Sequence, residues 1–71
     1  MERKDYFYKG YGIKIEYLVT GRTAIGPVTE VTAVVISKGN NIIETLQYDG
    51  NGPTLEMAYG DALTTISESS I

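Results

Sequence analysis

The chain has 71 residues, enough for one domain over residues 1–71 and too few for two, and a domain of this size buries only about 60% of its unfolded surface. It contains no cysteine and no histidine, which excludes a disulfide framework, the usual zinc, copper and iron ligand sets, and Ser–His or Cys–His nucleophile systems. Six basic against nine acidic residues give a net charge of −3, which disfavours non-specific attraction to phosphate backbones and leaves self-association as the remaining stabilising device for so small a core.

The opening MERKDYFYKG has no apolar run after its charges, and no later stretch approaches the roughly 18 apolar residues of a membrane span, so the expected compartment is the cytoplasm. Arg3, Lys4, Lys9 and Lys14 place four of the six basic residues in the first fourteen positions, while Asp49, Glu56, Asp61 and Glu68 cluster towards the other end. From Tyr11 to Val19 the odd positions read Tyr11, Ile13, Ile15, Tyr17, Val19, the period-two pattern of a half-buried strand. Tyr6 and Tyr8 have the opposite parity, so a strand reaching back to them needs a bulge at Gly10 or Gly12. The segment Thr20 to Pro27, TGRTAIGP, carries two glycines and a proline and reads as a loop.

Val28 to Ser37 is rich in β-branched residues, with Val31, Ala33 and Val35 on one face and Val34 and Ile36 on the other. Apolar on both sides, it is the expected central strand. Lys38 to Asn41, KGNN, is a hairpin turn, and the third strand runs from about Ile42 to Tyr48 with Ile42, Leu46 and Tyr48 in phase. Asp49 to Pro53 ends it, and Thr54 offers an N-cap oxygen to a helix. Leu55, Ala58, Tyr59, Ala62, Leu63 and Ile66 fall within an arc of about 140° at 100° per residue, an apolar stripe suited to a sheet. Gly60 inside this helix points to close packing or a weak point, and the closing SESSI is expected to fray. The predicted fold is therefore α+β, a three-stranded antiparallel β-meander with one C-terminal α-helix packed on one face (β-β-β-α).

Three motifs invite a chemical reading. Lys9-Gly10-Tyr11-Gly12 resembles the opening of the nucleic-acid-binding octamer of RNA-recognition motifs and cold-shock domains, in which aromatic faces stack bases beside cations. The match then stops, with Ile13, Lys14 and Glu16 where aromatic or apolar residues belong, and the bland reading is a strand start with a glycine kink. Asp49-Gly50-Asn51-Gly52 has the first and third oxygens of a calcium loop, but Pro53 and Gly60 occupy its fifth and twelfth positions, leaving a plain strand-to-helix turn. The carboxylates Glu56 with Asp61, and Glu16 with Glu30, converge on no site and read as solvated faces. No catalytic residue, cofactor site or metal site is expected.

With YKGYGIKIE near the start and LEMAYGDALTTI near the end, the chain resembles small uncharacterised bacterial proteins of β-β-β-α layout, whose closing helix spaces small residues like Ala58, Gly60 and Ala62. It departs from them in having Thr65-Ile66 where a tryptophan often stands. The helix start Thr54-Leu55-Glu56-Met57-Ala58 also resembles the T-x-E-x-A of HicB-type antitoxin domains, without their glycine-rich central strand. The first resemblance implies a fold and no activity; the second implies a toxin partner.

The expected function is a non-enzymatic protein-interaction or oligomerisation module, with self-association or another protein as partner. The alternatives are a nucleic-acid-binding domain, which the net charge does not support, and a HicB-like antitoxin. One helix covers one sheet face, which is expected to leave Leu18, Val34 and Ile36 uncovered; Tyr8, Lys9, Tyr11 and Lys14 complete the candidate partner surface.

Overall fold

The computed structural model describes residues 1–69. It comprises β1 (Glu2–Tyr8), β2 (Tyr11–Thr23), β3 (Gly26–Lys38), β4 (Asn41–Gln47) and α1 (Leu55–Ser69). The strands form one antiparallel sheet in the order β1-β2-β3-β4, so each strand pairs with its neighbour in sequence. The arrangement is α+β with one C-terminal helix, and it has four strands where three were expected.

The additional strand is the charged segment ERKDYFY. Its pairing with β2 runs from Glu2↔Tyr17 to Tyr8↔Tyr11 across a tight turn in which Lys9 and Gly10 have φ of 50° and 85°. Two consecutive positive φ values give the turn a twist that matches antiparallel strands. No bulge is needed to bring Tyr6 and Tyr8 into phase: reversal through the turn sets Tyr8 beside Tyr11 and Tyr6 beside Ile13 on one face.

The expected loop at Thr20 to Pro27 is instead the end of a long hairpin. Pairing continues past Val19 with an irregularity before Gly21 and closes at Thr23↔Gly26 around Ala24 and Ile25. Thr23 Oγ1 donates to the Gly26 carbonyl at 3.1 Å and accepts from the Ile25 N–H at 3.4 Å, so one hydroxyl serves both sides of the turn. Pro27, which offers no N–H, is accommodated because β3 has no strand on its outer side here. Leu18 to Val28 thus forms a two-stranded arm beyond the main sheet. The radius of gyration is 12.5 Å, against about 11 Å for a compact domain of this length.

The helix lies over the face carrying Ile13, Ile15, Val31, Val34 and Ile36, all essentially sealed from solvent. Ala58, Ala62 and Ile66 close the core from above, the two alanines allowing the helix to approach closely. Each such aliphatic side chain contributes roughly 1.5–3 kcal/mol by leaving water. The expectation that Val34 and Ile36 face away from the helix is therefore corrected. Glu16 pairs with Ala33 but Tyr17 pairs with Val31, so Thr32 is an extra residue on β3. This bulge puts Val31 on the face of Val34, three positions away, and sends Ala33 and Val35 to the other side. Thr32 Oγ1 returns a hydrogen bond to the Glu16 carbonyl at 3.2 Å. A second irregularity pairs Ile36 with Glu44 and Ser37 with Ile42, putting Ile42 out of phase with Leu46 and Tyr48.

Thr54 caps the helix as expected of its position, accepting the Met57 N–H at 3.3 Å. The preceding loop is stitched to the edge of β3 by Val31 N–H to the Pro53 carbonyl at 2.9 Å and by Leu55 N–H to Thr29 Oγ1 at 3.0 Å. Of the SESSI tail, residues 70 and 71 lie outside the described residues, and Ser67 to Ser69 are helical.

Candidate interaction surface on the open sheet face

The face opposite α1 is built from three cross-strand rows. One runs Phe7, Gly12, Ser37, Ile42; the next Asp5, Lys14, Val35, Thr45; the third Arg3, Glu16, Ala33, Gln47. Leu18, beyond the bulge, continues this face on β2 beside Glu30. Phe7 is 84% exposed and Ile42 68%, on opposite edges of the sheet.

Between these side chains lies a shallow depression of about 360 Å³, with Gly12 and Ser37 at its floor and Phe7, Lys14, Val35 and Ile42 around it. Gly12 keeps the floor low: a Cβ there would sit 3.1 Å from Ser37 Oγ and 3.9 Å from Phe7 Cε1. Next to the depression the charges alternate. Arg3 faces Glu16 and Asp5 faces Lys14 across β1 and β2, and none of the four closes an ion pair among the described residues.

The residues anticipated as a partner surface are divided among different places. Lys14 and Leu18 lie on this open face. Val34 and Ile36 are buried beneath α1. Tyr11 is in the core cluster, only 9% exposed, and Tyr8 packs against that cluster from the same side. Lys9 is in the turn, its Nζ 5.4 Å from the Tyr8 ring centroid, and Lys38 Nζ lies 5.2 Å from the ring centroid of Tyr11. Tyr8 and Tyr11 thus point to one side of the sheet and Lys14 to the other. Phe7, Val35 and Ile42 were not anticipated. The signal for Phe7 was its alternation with Tyr6 and Tyr8, legible once ERKDYFY is taken as a strand.

A second exposed apolar region is the arm, with Leu18, Val19, Ile25 and Val28 open to solvent and Ile25 at its tip 98% exposed. A depression of about 510 Å³ separates this tip from the first turn of α1.

Two further polar side chains tie elements of the fold together. The Glu30 carboxylate accepts the Gly52 N–H at 3.3 Å. The Tyr48 hydroxyl donates to Asp61 at 3.2 Å, and its pKa lies above the usual 10.0, first because burial disfavours the phenolate, then because of the charge and hydrogen bond of Asp61. Among the described residues no group of three or more acidic side chains is placed to hold a metal ion, and no helix is long and apolar enough to cross a membrane. Compared with known proteins, the chain matches no family model, no curated protein and no solved structure.

Proposed function

We propose that this chain is a non-enzymatic protein-interaction or oligomerisation module that docks through the sheet face opposite its helix. The observation that carries this reading is the pairing of a covered and an uncovered face in one sheet: α1 seals Ile13, Ile15, Val34 and Ile36, while Phe7 and Ile42 stand in water around the Gly12 depression. Large apolar side chains grouped on one exposed surface and rimmed by charge are the ordinary mark of a contact site. A nucleic-acid platform is less well supported, because base stacking needs aromatic rings and cations on the same open face. Here Tyr8 and Tyr11 are on the helix side, and the open face offers one ring, Phe7, beside cations Arg3 and Lys14 that are each opposed across the strands by a carboxylate, Glu16 and Asp5.

The test is the double variant Phe7→Lys, Ile42→Lys. Both side chains are exposed, so the folded monomer should change in stability by only about 0.5 kcal/mol per site. Its circular dichroism should match the wild type, and the associations the wild type shows in sedimentation and in affinity capture should be lost. Retention of all those associations by the double variant refutes the reading.

A further inference from the structure

Resting on that reading of the open face, we infer that its partner is a second copy of this chain, stacked sheet to sheet about a two-fold axis that runs across the strands between the Lys14 row and the Glu16 row. The pattern of side chains is self-complementary under this operation. The axis lays each residue of one row over its counterpart on the same strand in the other. Asp5 then meets Arg3 of the second copy, Lys14 meets Glu16, Val35 meets Ala33, and Thr45 meets Gln47. Within these two rows every charge finds an opposite charge, apolar meets apolar, and polar meets polar. By symmetry each charge pair occurs twice, as a closed two-fold interface requires.

One row further out, the same axis carries Leu18 over Gly12. Leu18 is 40% exposed on the open face, and Gly12 is the floor of the 360 Å³ depression, so a projecting aliphatic side chain meets a position with no side chain. The sheets stack with strands nearly aligned, a common geometry for twisted sheets packed face to face.

The competing two-fold, parallel to the strands between β2 and β3, would match Phe7 to Ile42 but would press Lys14 onto Val35 and Glu16 onto Ala33. Charged groups would lose water there and gain no partner, a desolvation cost that nothing offsets. The alternating quartet selects the transverse axis.

Only β2 and β3 reach the Leu18 row, so two full rows and two half rows overlap, and at about 4.8 Å by 6.7 Å per position they cover roughly 390 Å² per copy, or about 800 Å² for the pair. That is below the roughly 1,000 Å² of a standard specific interface, so the dimer is expected to be weak, forming at micromolar concentrations and above.

The experiment uses two complementary variants of the full chain. Arg3→Glu with Lys14→Glu makes the quartet wholly negative, and Asp5→Lys with Glu16→Lys makes it wholly positive. By sedimentation velocity the wild type should dimerise with concentration, and each variant alone should remain monomeric with at least tenfold weaker self-association. An equimolar mixture should restore a 1:1 heterodimer. Raising salt from about 50 mM to 0.5 M should weaken the wild-type dimer severalfold, because charge pairs in so small and water-accessible an interface are screened.

Should either variant fail to fold, mixed light and isotopically heavy wild-type chains joined by a zero-length carbodiimide supply a second measurement: Lys14–Glu16 links between a light and a heavy chain are expected. A wild type that stays monomeric at millimolar concentration, variants that self-associate like the wild type, or the lack of mixed-isotope links would each overturn the inference. If the wild type is monomeric yet still captures another protein in a manner abolished by Phe7→Lys, the second copy is the wrong partner and the docking face stands. If the wild type is monomeric and Phe7→Lys changes no association, the docking face fails as well.

Discussion

Gly52→Ala is the substitution by which the junction between sheet and helix can be tested most directly. A Cβ at this position would collide with the Val31 carbonyl oxygen and lie 3.1 Å from the Val31 carbonyl carbon and 3.4 Å from its nitrogen. The obstacle is backbone in the most buried part of β3, so it cannot swing aside as a flexible side chain would; the loop must lift. Lifting it strains the Val31 N–H to Pro53 bond at 2.9 Å and the Gly52 N–H to Glu30 bond at 3.3 Å, the links nearest Gly52 that tie the loop to the strand. Two lost hydrogen bonds at about 1 kcal/mol each, with at least about 1 kcal/mol of overpacking, give a destabilisation of about 3 kcal/mol. At roughly 0.05–0.15 kcal/mol per residue, total stability for 71 residues is about 4–11 kcal/mol, so the loss is a large share of it. With about 2.1 cal/mol/K of unfolding entropy per residue, the 71 residues carry about 0.15 kcal/mol/K, and Tm should fall by about 20 °C. Thermal and urea unfolding followed by circular dichroism measure this. Gly60→Ala is the control: a Cβ there meets nothing within 4 Å and improves helix propensity, so Tm should rise by about 5 °C. A Gly52→Ala variant melting within about 3 °C of the wild type would show that the loop is not pinned against Val31.

Two further predictions rest on the assignment of faces and on the phenol of Tyr48. Ile36→Ala should cost about 3 kcal/mol and Val35→Ala under about 1 kcal/mol, because Ile36 is sealed beneath α1 and its neighbour is not; equal urea midpoints would show that the bulge at Thr32 is misplaced. The raised pKa of Tyr48 means that the folded state favours the neutral phenol, so this group's contribution is fully present below pH 10 and is lost as pH rises beyond that value through the folded pKa. Tyr48→Phe should cost about 0.5 kcal/mol at neutral pH, through the exposed hydrogen bond to Asp61, and should unfold with a smaller loss of stability between pH 10 and 11 than the wild type. Parallel pH curves for the two proteins would exclude this linkage.

Features with local causes were legible in the residues. The alternation from Tyr11 to Ile15, the β-branched run of β3, the KGNN turn and the capped apolar stripe of α1 each rest on residues adjacent in the chain, and each is found where expected. Only tertiary pairing decided the rest. The segment ERKD has no intrinsic preference for a strand; it is one because the Lys9–Gly10 turn folds it against β2, where Arg3 and Asp5 meet Glu16 and Lys14. TGRTAIGP has the composition of a loop, yet it continues a hairpin whose register is carried outward from the sheet.

Lys14 and Leu18 were legible as surface residues of the candidate site, whereas Val34 and Ile36 were assigned to the wrong side. A strand's faces alternate with period two, so one inserted residue reverses every assignment beyond it. The bulge at Thr32 is such an insertion, held by its hydroxyl on the Glu16 carbonyl and by the partner strand's register, and nothing in the residues of β3 alone records it. That one residue buries Val31 with Val34 and Ile36 under the helix, with Ala33 and Val35 on the opposite face.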